Sequence, residues 1–148
     1  MRVPEILETC LYVDDLEAAE RFYGTVLGLE LLGKKDGRHL FFRCGRRMLL
    51  VFDPHATLDP SAGSEIPPHG AVGEGHIAFA VPHDGVEGWR GRLEAHLVAI
   101  ESEVSWPNGA RSLYFRDPSG NSLELATPDL WRIEEGEIFS GGEQRVGG

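Results

Sequence analysis

Glu8, His76 and Glu124 are the residues whose types and spacing could do chemistry. Glu8 opens the run Glu8-Thr9-Cys10-Leu11-Tyr12-Val13, which reads with period 2 as a strand carrying Thr9, Leu11 and Val13 on one face and Glu8, Cys10 and Tyr12 on the other. The run His76-Ile77-Ala78-Phe79-Ala80-Val81 repeats that pattern 68 residues later, and Ser122 to Ala126 sets Leu123 and Leu125 against Ser122, Glu124 and Ala126. With the apolar faces turned to helices, Glu8, His76 and Glu124 share the opposite face. A carboxylate buried unpaired in an apolar strand is costly, and a bound divalent cation would remove that cost. Oxygen and imidazole donors from three strands, with coordination positions left open, suit a catalytic rather than a structural metal. The alternation leaves a second possibility open, in which Glu8 faces solvent and His76 is a hydrogen-bonded strand histidine.

The elements that must position these residues occur twice in the chain. Each first strand leads into a helix start with an acidic pair at i and i+3, Asp14 with Glu17 and Asp84 with Glu87, a capping-box-like signal. Leu16, Ala19, Tyr23 and Val26 then fall on one helical face, with Gly28 as a left-handed stop; Val86, Trp89, Leu93 and Leu97 do the same in the second copy. Arg38-His39-Leu40-Phe41-Phe42-Arg43 matches Arg111-Ser112-Leu113-Tyr114-Phe115-Arg116, 73 residues apart, at four of six positions. Each copy turns into a further apolar strand, Met48 to Phe52 or Ser122 to Ala126. With Leu29 to Leu32 and Val98 to Val104 as one more strand apiece, the pattern predicts two βαβββ units.

The expected fold is α+β: two βαβββ units forming a curved mixed sheet around a cleft. One domain over residues 1–130 holds unit one at about 5–54, a connecting loop at 54–75 that could close over a pocket, and unit two at about 75–128. The stretch 132–148, rich in Glu and Gly, is expected to be a mobile polar tail. A length of 148 residues matches a single domain, and 19 Gly with 9 Pro favour many short elements. With 24 acidic against 14 basic side chains, the net charge of −10 repels phosphate backbones and anionic lipid heads, so neither nucleic acid nor a membrane is an expected partner. No apolar run is long enough to span a bilayer, and Cys10 and Cys44 are too few for a disulfide framework, each reading as a small hydrophobe in a strand. A cytoplasmic location is expected.

The runs Leu7-Glu8-Thr9-Cys10-Leu11-Tyr12-Val13-Asp14-Asp15-Leu16, Phe22-Tyr23, Leu27-Gly28-Leu29, Gly75-His76-Ile77-Ala78-Phe79 and Tyr114 to Glu124, taken in order, resemble the vicinal oxygen chelate superfamily. That superfamily includes glyoxalase I, bleomycin-resistance proteins, extradiol dioxygenases, fosfomycin-resistance transferases and methylmalonyl-CoA epimerase, and the resemblance runs from about residue 5 to 128. By position it implies Glu8, His76 and Glu124 as metal ligands. His76 and Glu124 match the usual residues, whereas the first place more often holds His or Gln. The glyoxalase ligand in the last strand of the first unit should fall within Met48 to Phe52, where no side chain can coordinate, which counts against a true glyoxalase I. Oxygen-activating iron usually takes two His and one carboxylate, which counts against an extradiol dioxygenase.

The function implied is a metal-dependent enzyme of lyase or isomerase type, chelating two adjacent oxygens of a small-molecule substrate through a divalent ion, Zn, Ni, Mn or Fe. Glu124 or Glu8 would be the general base. Tyr12, Phe41, Arg43, His69 and Tyr114 are the candidate pocket residues, while Asp117-Pro118-Ser119-Gly120 reads as a plain turn. A homodimer is expected from the resemblance. The alternative is a non-catalytic dimeric binding protein of bleomycin-resistance type that sequesters a drug or cationic metabolite, which the negative charge suits.

Overall fold

The computed structural model describes residues 1–59 and 65–140. It has an α+β fold of two units, the first made of Met1–His76 with Asp117–Asn121, the second of Ile77–Arg116 with the chain from Ser122 onward. In the first, β1 (Glu8–Tyr12), β2 (Glu30–Lys35), β3 (His39–Cys44) and β4 (Arg47–Phe52) form a sheet in the order β1-β4-β3-β2. The β1 strand runs parallel to β4 with Glu8 opposite Met48 and Tyr12 opposite Phe52, and the other pairings are antiparallel. Period-2 alternation sends Leu11, Leu40, Phe42, Leu49 and Val51 to one face, where all are buried.

The helix α1 (Leu16–Arg21), continued by a wider π turn over Phe22–Val26, brings Ala19, Phe22, Tyr23 and Val26 into that core. Tyr23, wholly buried, lies with its ring 5.9 Å from that of Phe42. Each such large apolar side chain contributes about 1.5–3 kcal/mol through burial. Gly28, at φ 71°, ends the helix as expected. The cap, however, is Asp15, whose side chain accepts from the Ala18 N–H; Asp14 is taken up by the Ser119 hydroxyl, 2.6 Å away.

In the second unit β5 (His76–Ala80), β6 (Ser102–Ser105), β7 (Arg111–Arg116) and β8 (Ser122–Ala126) are ordered β5-β8-β7-β6. The helix α3 (Val86–Ala95) packs Val86 and Leu93 with Leu113, Phe115, Leu123 and Leu125 in the second core. Asp84 does not cap it: a 3-10 turn, His83–Gly85, precedes the helix, Gly85 is the cap residue without a side-chain bond, and Glu87 is drawn to Arg90 and Arg111. Nor does Leu97 extend its apolar face, since the helix ends at Ala95 and Leu97 is 93% exposed in a left-handed conformation.

Two segments expected to be irregular hold short helices. The connecting loop opens with α2 (Pro54–Leu58), capped by the Asp53 side chain on the His55 N–H; its residues 60–64 lie outside the described residues. The segment after Trp131 contains α4 (Glu135–Phe139), started by a capping box between Glu134 and Glu137, and residues 141–148 of the expected mobile tail lie outside the described residues. Among the described residues no helix is long and apolar enough to cross a membrane. Both cysteines are free, but Cys10 is exposed rather than packed as a hydrophobe, and Cys44 is half-buried.

Candidate functional site

Glu124 is the buried carboxylate of the second unit, 5% exposed on β8. Its neighbours come from β7, where register places Tyr114 directly opposite Glu124 and Ser112 opposite Ala126. The Ser112 hydroxyl donates to Glu124 Oε1, and the Trp106 indole N–H donates to Ser112 Oγ at 2.9 Å. Because the indole is only a donor, Ser112 must accept from it and turn its own proton to the carboxylate. Tyr114 is also hydrogen-bonded to Glu124; burial first, then that bond and the carboxylate's charge, push its phenol above the usual value. Glu124 is thus an oriented, hydrogen-bonded carboxylate, of the kind that holds a cation.

His76 opens β5, the strand hydrogen-bonded to β8, and is exposed. Glu8 opens β1 in the first unit and is exposed. Beside it the Cys10 thiol, though exposed, is pushed up by partial desolvation and then by the Glu8 charge. Two carboxylates and an imidazole suit a divalent cation by donor type, and Glu124 has the hydrogen-bonded partners that orient a metal-binding carboxylate. Among the described residues, no group of three or more His, Cys, Asp or Glu side chains is gathered in a metal-holding arrangement.

The helix-free face of the first sheet carries a cluster of rings. Tyr12 Oη lies 2.7 Å from His69 Nδ1, and the His69 ring meets Phe52 edge-on at 4.8 Å. Phe52 in turn meets Phe41 at 5.7 Å, and His39 stacks flat on Phe41 at 4.0 Å. Tyr12, Phe41 and His69, expected in a pocket, are therefore brought together, with Phe52 as the ring between them. Arg43 is not among them; it sits exposed near the other end of β3, in register with Met48 and Glu30.

Sequence reasoning overlooked Ser112, which the alternation that found Glu124 would have placed on the same face, two residues from Tyr114. It also overlooked His39 and Arg38, whose surroundings depend on strand pairing. The turn Asp117 to Gly120 is more than a plain reversal. Asp117 accepts from Tyr23 Oη at 2.7 Å and from Asn121, while Asn121 donates to the Tyr12 carbonyl at 3.0 Å and accepts from the Gly75 N–H at 2.7 Å.

Residues 5–125 match the family described as the Glyoxalase/Bleomycin resistance protein/Dioxygenase superfamily. A solved structure of lactoylglutathione lyase from Agrobacterium tumefaciens is 46% identical, with a TM-score of 0.87, covering 90% of this chain and 100% of that one. A glyoxalase/bleomycin resistance protein/dioxygenase from Nocardioides superposes with a TM-score of 0.67 at 25% identity, over 86% and 85% of the two chains. A catechol-2,3-dioxygenase of Bacillus subtilis (strain 168) is 31% identical over 119 residues, 78% of this chain but only 38% of that protein's length.

Proposed function

Because the chain belongs to the Glyoxalase/Bleomycin resistance protein/Dioxygenase superfamily, we propose that it is a divalent-metal-dependent lyase or isomerase acting on a small molecule with two adjacent oxygens. The observation that carries this reading is Glu124, a buried carboxylate on β8, the strand next to the one that begins with His76, fixed by hydroxyls from β7 on its other side. The likeness to a lactoylglutathione lyase over nearly the whole chain supports the reaction class.

Glu124, His76 and Glu8 would hold the ion, and the ion would supply charge stabilisation to the substrate's paired oxygens. The protein's own contribution lies in Glu124 and its partners. Trp106 sets the Ser112 proton, Ser112 and Tyr114 hold the carboxylate still, and Glu124 removes a proton from the carbon beside the substrate carbonyl. The same carboxylate returns the proton to the former carbonyl carbon while the hydroxyl proton passes from one substrate oxygen to the other, so that the isomerase-like step balances.

Elemental analysis of the purified chain after supplementation with Zn, Ni, Mn or Fe tests this. We expect about one equivalent of metal per chain, falling together with turnover in Glu124→Gln and in His76→Ala. Less than about a tenth of an equivalent of every metal would overturn it. A protein that only sequesters a cationic guest would instead keep binding that guest when Glu124→Ala is combined with His76→Ala.

A further inference from the structure

Basic side chains in this chain commonly meet carboxylates, as Arg90 does with Glu87 and Glu103, and Arg116 with Glu101. Arg38 does not: among the described residues no carboxylate lies within ion-pair distance of it. Its guanidinium rests over the Phe52 ring at 5.6 Å, and Nη1 lies 2.8 Å from His39 Nδ1. A guanidinium has no acceptor, so His39 Nδ1 must accept and the ring carries its proton on Nε2. Burial, then the charges of Arg38 and Lys35, lower the His39 pKa, so the ring stays neutral. Its flat stack on Phe41, with an interplanar angle of 3°, fixes its orientation. In a chain with net charge −10, a guanidinium held by a ring and a neutral imidazole keeps its remaining donors for something other than its own acids.

We propose that Arg38 and His39 form an anion subsite that receives a carboxylate or phosphate group of the substrate, with the planar or apolar part of that molecule against Phe41 and Tyr12. This rests on the reading of the chain as a small-molecule enzyme and narrows its substrate to an anion, the opposite of the guest suggested by the overall charge. Register sets the scale of that substrate. His39 and Tyr12 both pair with Phe52, whereas Glu8 pairs with Met48, four residues along the strand, or about 13 Å. The anionic group therefore sits at the far end of the strand from Glu8, and the substrate is elongated.

Calorimetric titration of the purified full chain with benzoate, inorganic phosphate and the uncharged benzyl alcohol tests the subsite without reference to turnover. Arg38→Met keeps an apolar stem against Phe52, and His39→Phe keeps the stack while removing both ring nitrogens; each is compared at matched thermal stability. Benzoate binding should weaken about tenfold or more in Arg38→Met and less steeply in His39→Phe, with benzyl alcohol changed by less than about twofold. Phosphate weakened in parallel marks a general oxyanion site; benzoate bound without phosphate marks a planar carboxylate site, and both support the proposal. Equal benzoate affinity in the parent and both variants, or no saturable binding of either anion by the parent, overturns it. If the chain holds no metal yet discriminates benzoate through Arg38, the enzymatic reading fails while the subsite stands.

Discussion

Tyr23 and Glu124 are buried side chains whose polar ends have assigned partners, and each makes a different demand on the protein. Ser112→Ala takes one donor from the Glu124 carboxylate and the acceptor from the Trp106 indole, leaving buried polar atoms short of partners. We expect a loss of about 1–3 kcal/mol in urea unfolding at unchanged m-value, and unchanged stability would refute the assigned bonds. Tyr23 carries a pH signature. Burial, then the Asp117 charge and the hydrogen bond to it, raise its phenol above the ordinary value in the folded state. Below about pH 10 both folded and unfolded chains hold this proton; above it the unfolded chain releases the proton first, so stability falls as pH rises. Tyr23→Phe should cost about 1 kcal/mol near neutrality, since Asp117 keeps its bonds from Asn121, and should flatten the alkaline decline. The decline does not vanish, because the Tyr12 and Tyr114 phenols are raised as well. Urea midpoints of both proteins between pH 7 and 11 decide the matter: parallel curves would sink this assignment.

At the scale of elements, the strands were legible because apolar alternation and burial are the same physical fact, and the doubled pattern gave the pairing of β3 with β4 and of β7 with β8. Helix starts were less so. Asp14 and Asp15 are chemically equivalent in sequence, and the choice between them is made by Ser119, 105 residues away, which engages Asp14 and leaves Asp15 to cap. The site was legible in part for the same reason: Glu124 is conspicuous as a charge in an apolar strand, whereas His39 acquires its meaning from Phe52 across a strand pair and from Arg38 beside it. The turn between β7 and β8 is the clearest case of hidden content. Gly120, at φ 86°, makes the reversal possible, but the turn's value lies in Asn121, 1% exposed, which ties the end of β1 to the residue before His76. Asn121→Ala should therefore cost about 2–4 kcal/mol, with amide exchange at Gly75 accelerated more than in the strands around it. Uniform acceleration across the chain would show a general loss of stability and not a clamp.

For the whole molecule, charge sets the terms on which a second copy can approach. A net charge of −10 on each 16.3 kDa chain makes every encounter between copies repulsive at long range. Against this, the single chain leaves large apolar side chains in solvent, Trp131 at 77% and Val72 at 82% exposed among them. Apolar surface of this kind repays burial at about 25 cal/mol per Å², independent of salt to first order. If the chain pairs with itself, as we propose from its family, the attractive part is thus short-ranged and the opposing part is screened. The Debye length shortens from about 30 Å at 0.01 M salt to about 10 Å at 0.1 M, which removes most of the repulsion between two surfaces before they touch. Sedimentation equilibrium should accordingly give the mass of two chains at 0.1 M salt and a measurably larger dissociation constant at 0.01 M. A single-chain mass throughout would end the dimer, and pairing that tightens as salt is removed would show that opposite charges, not apolar surfaces, hold the copies together.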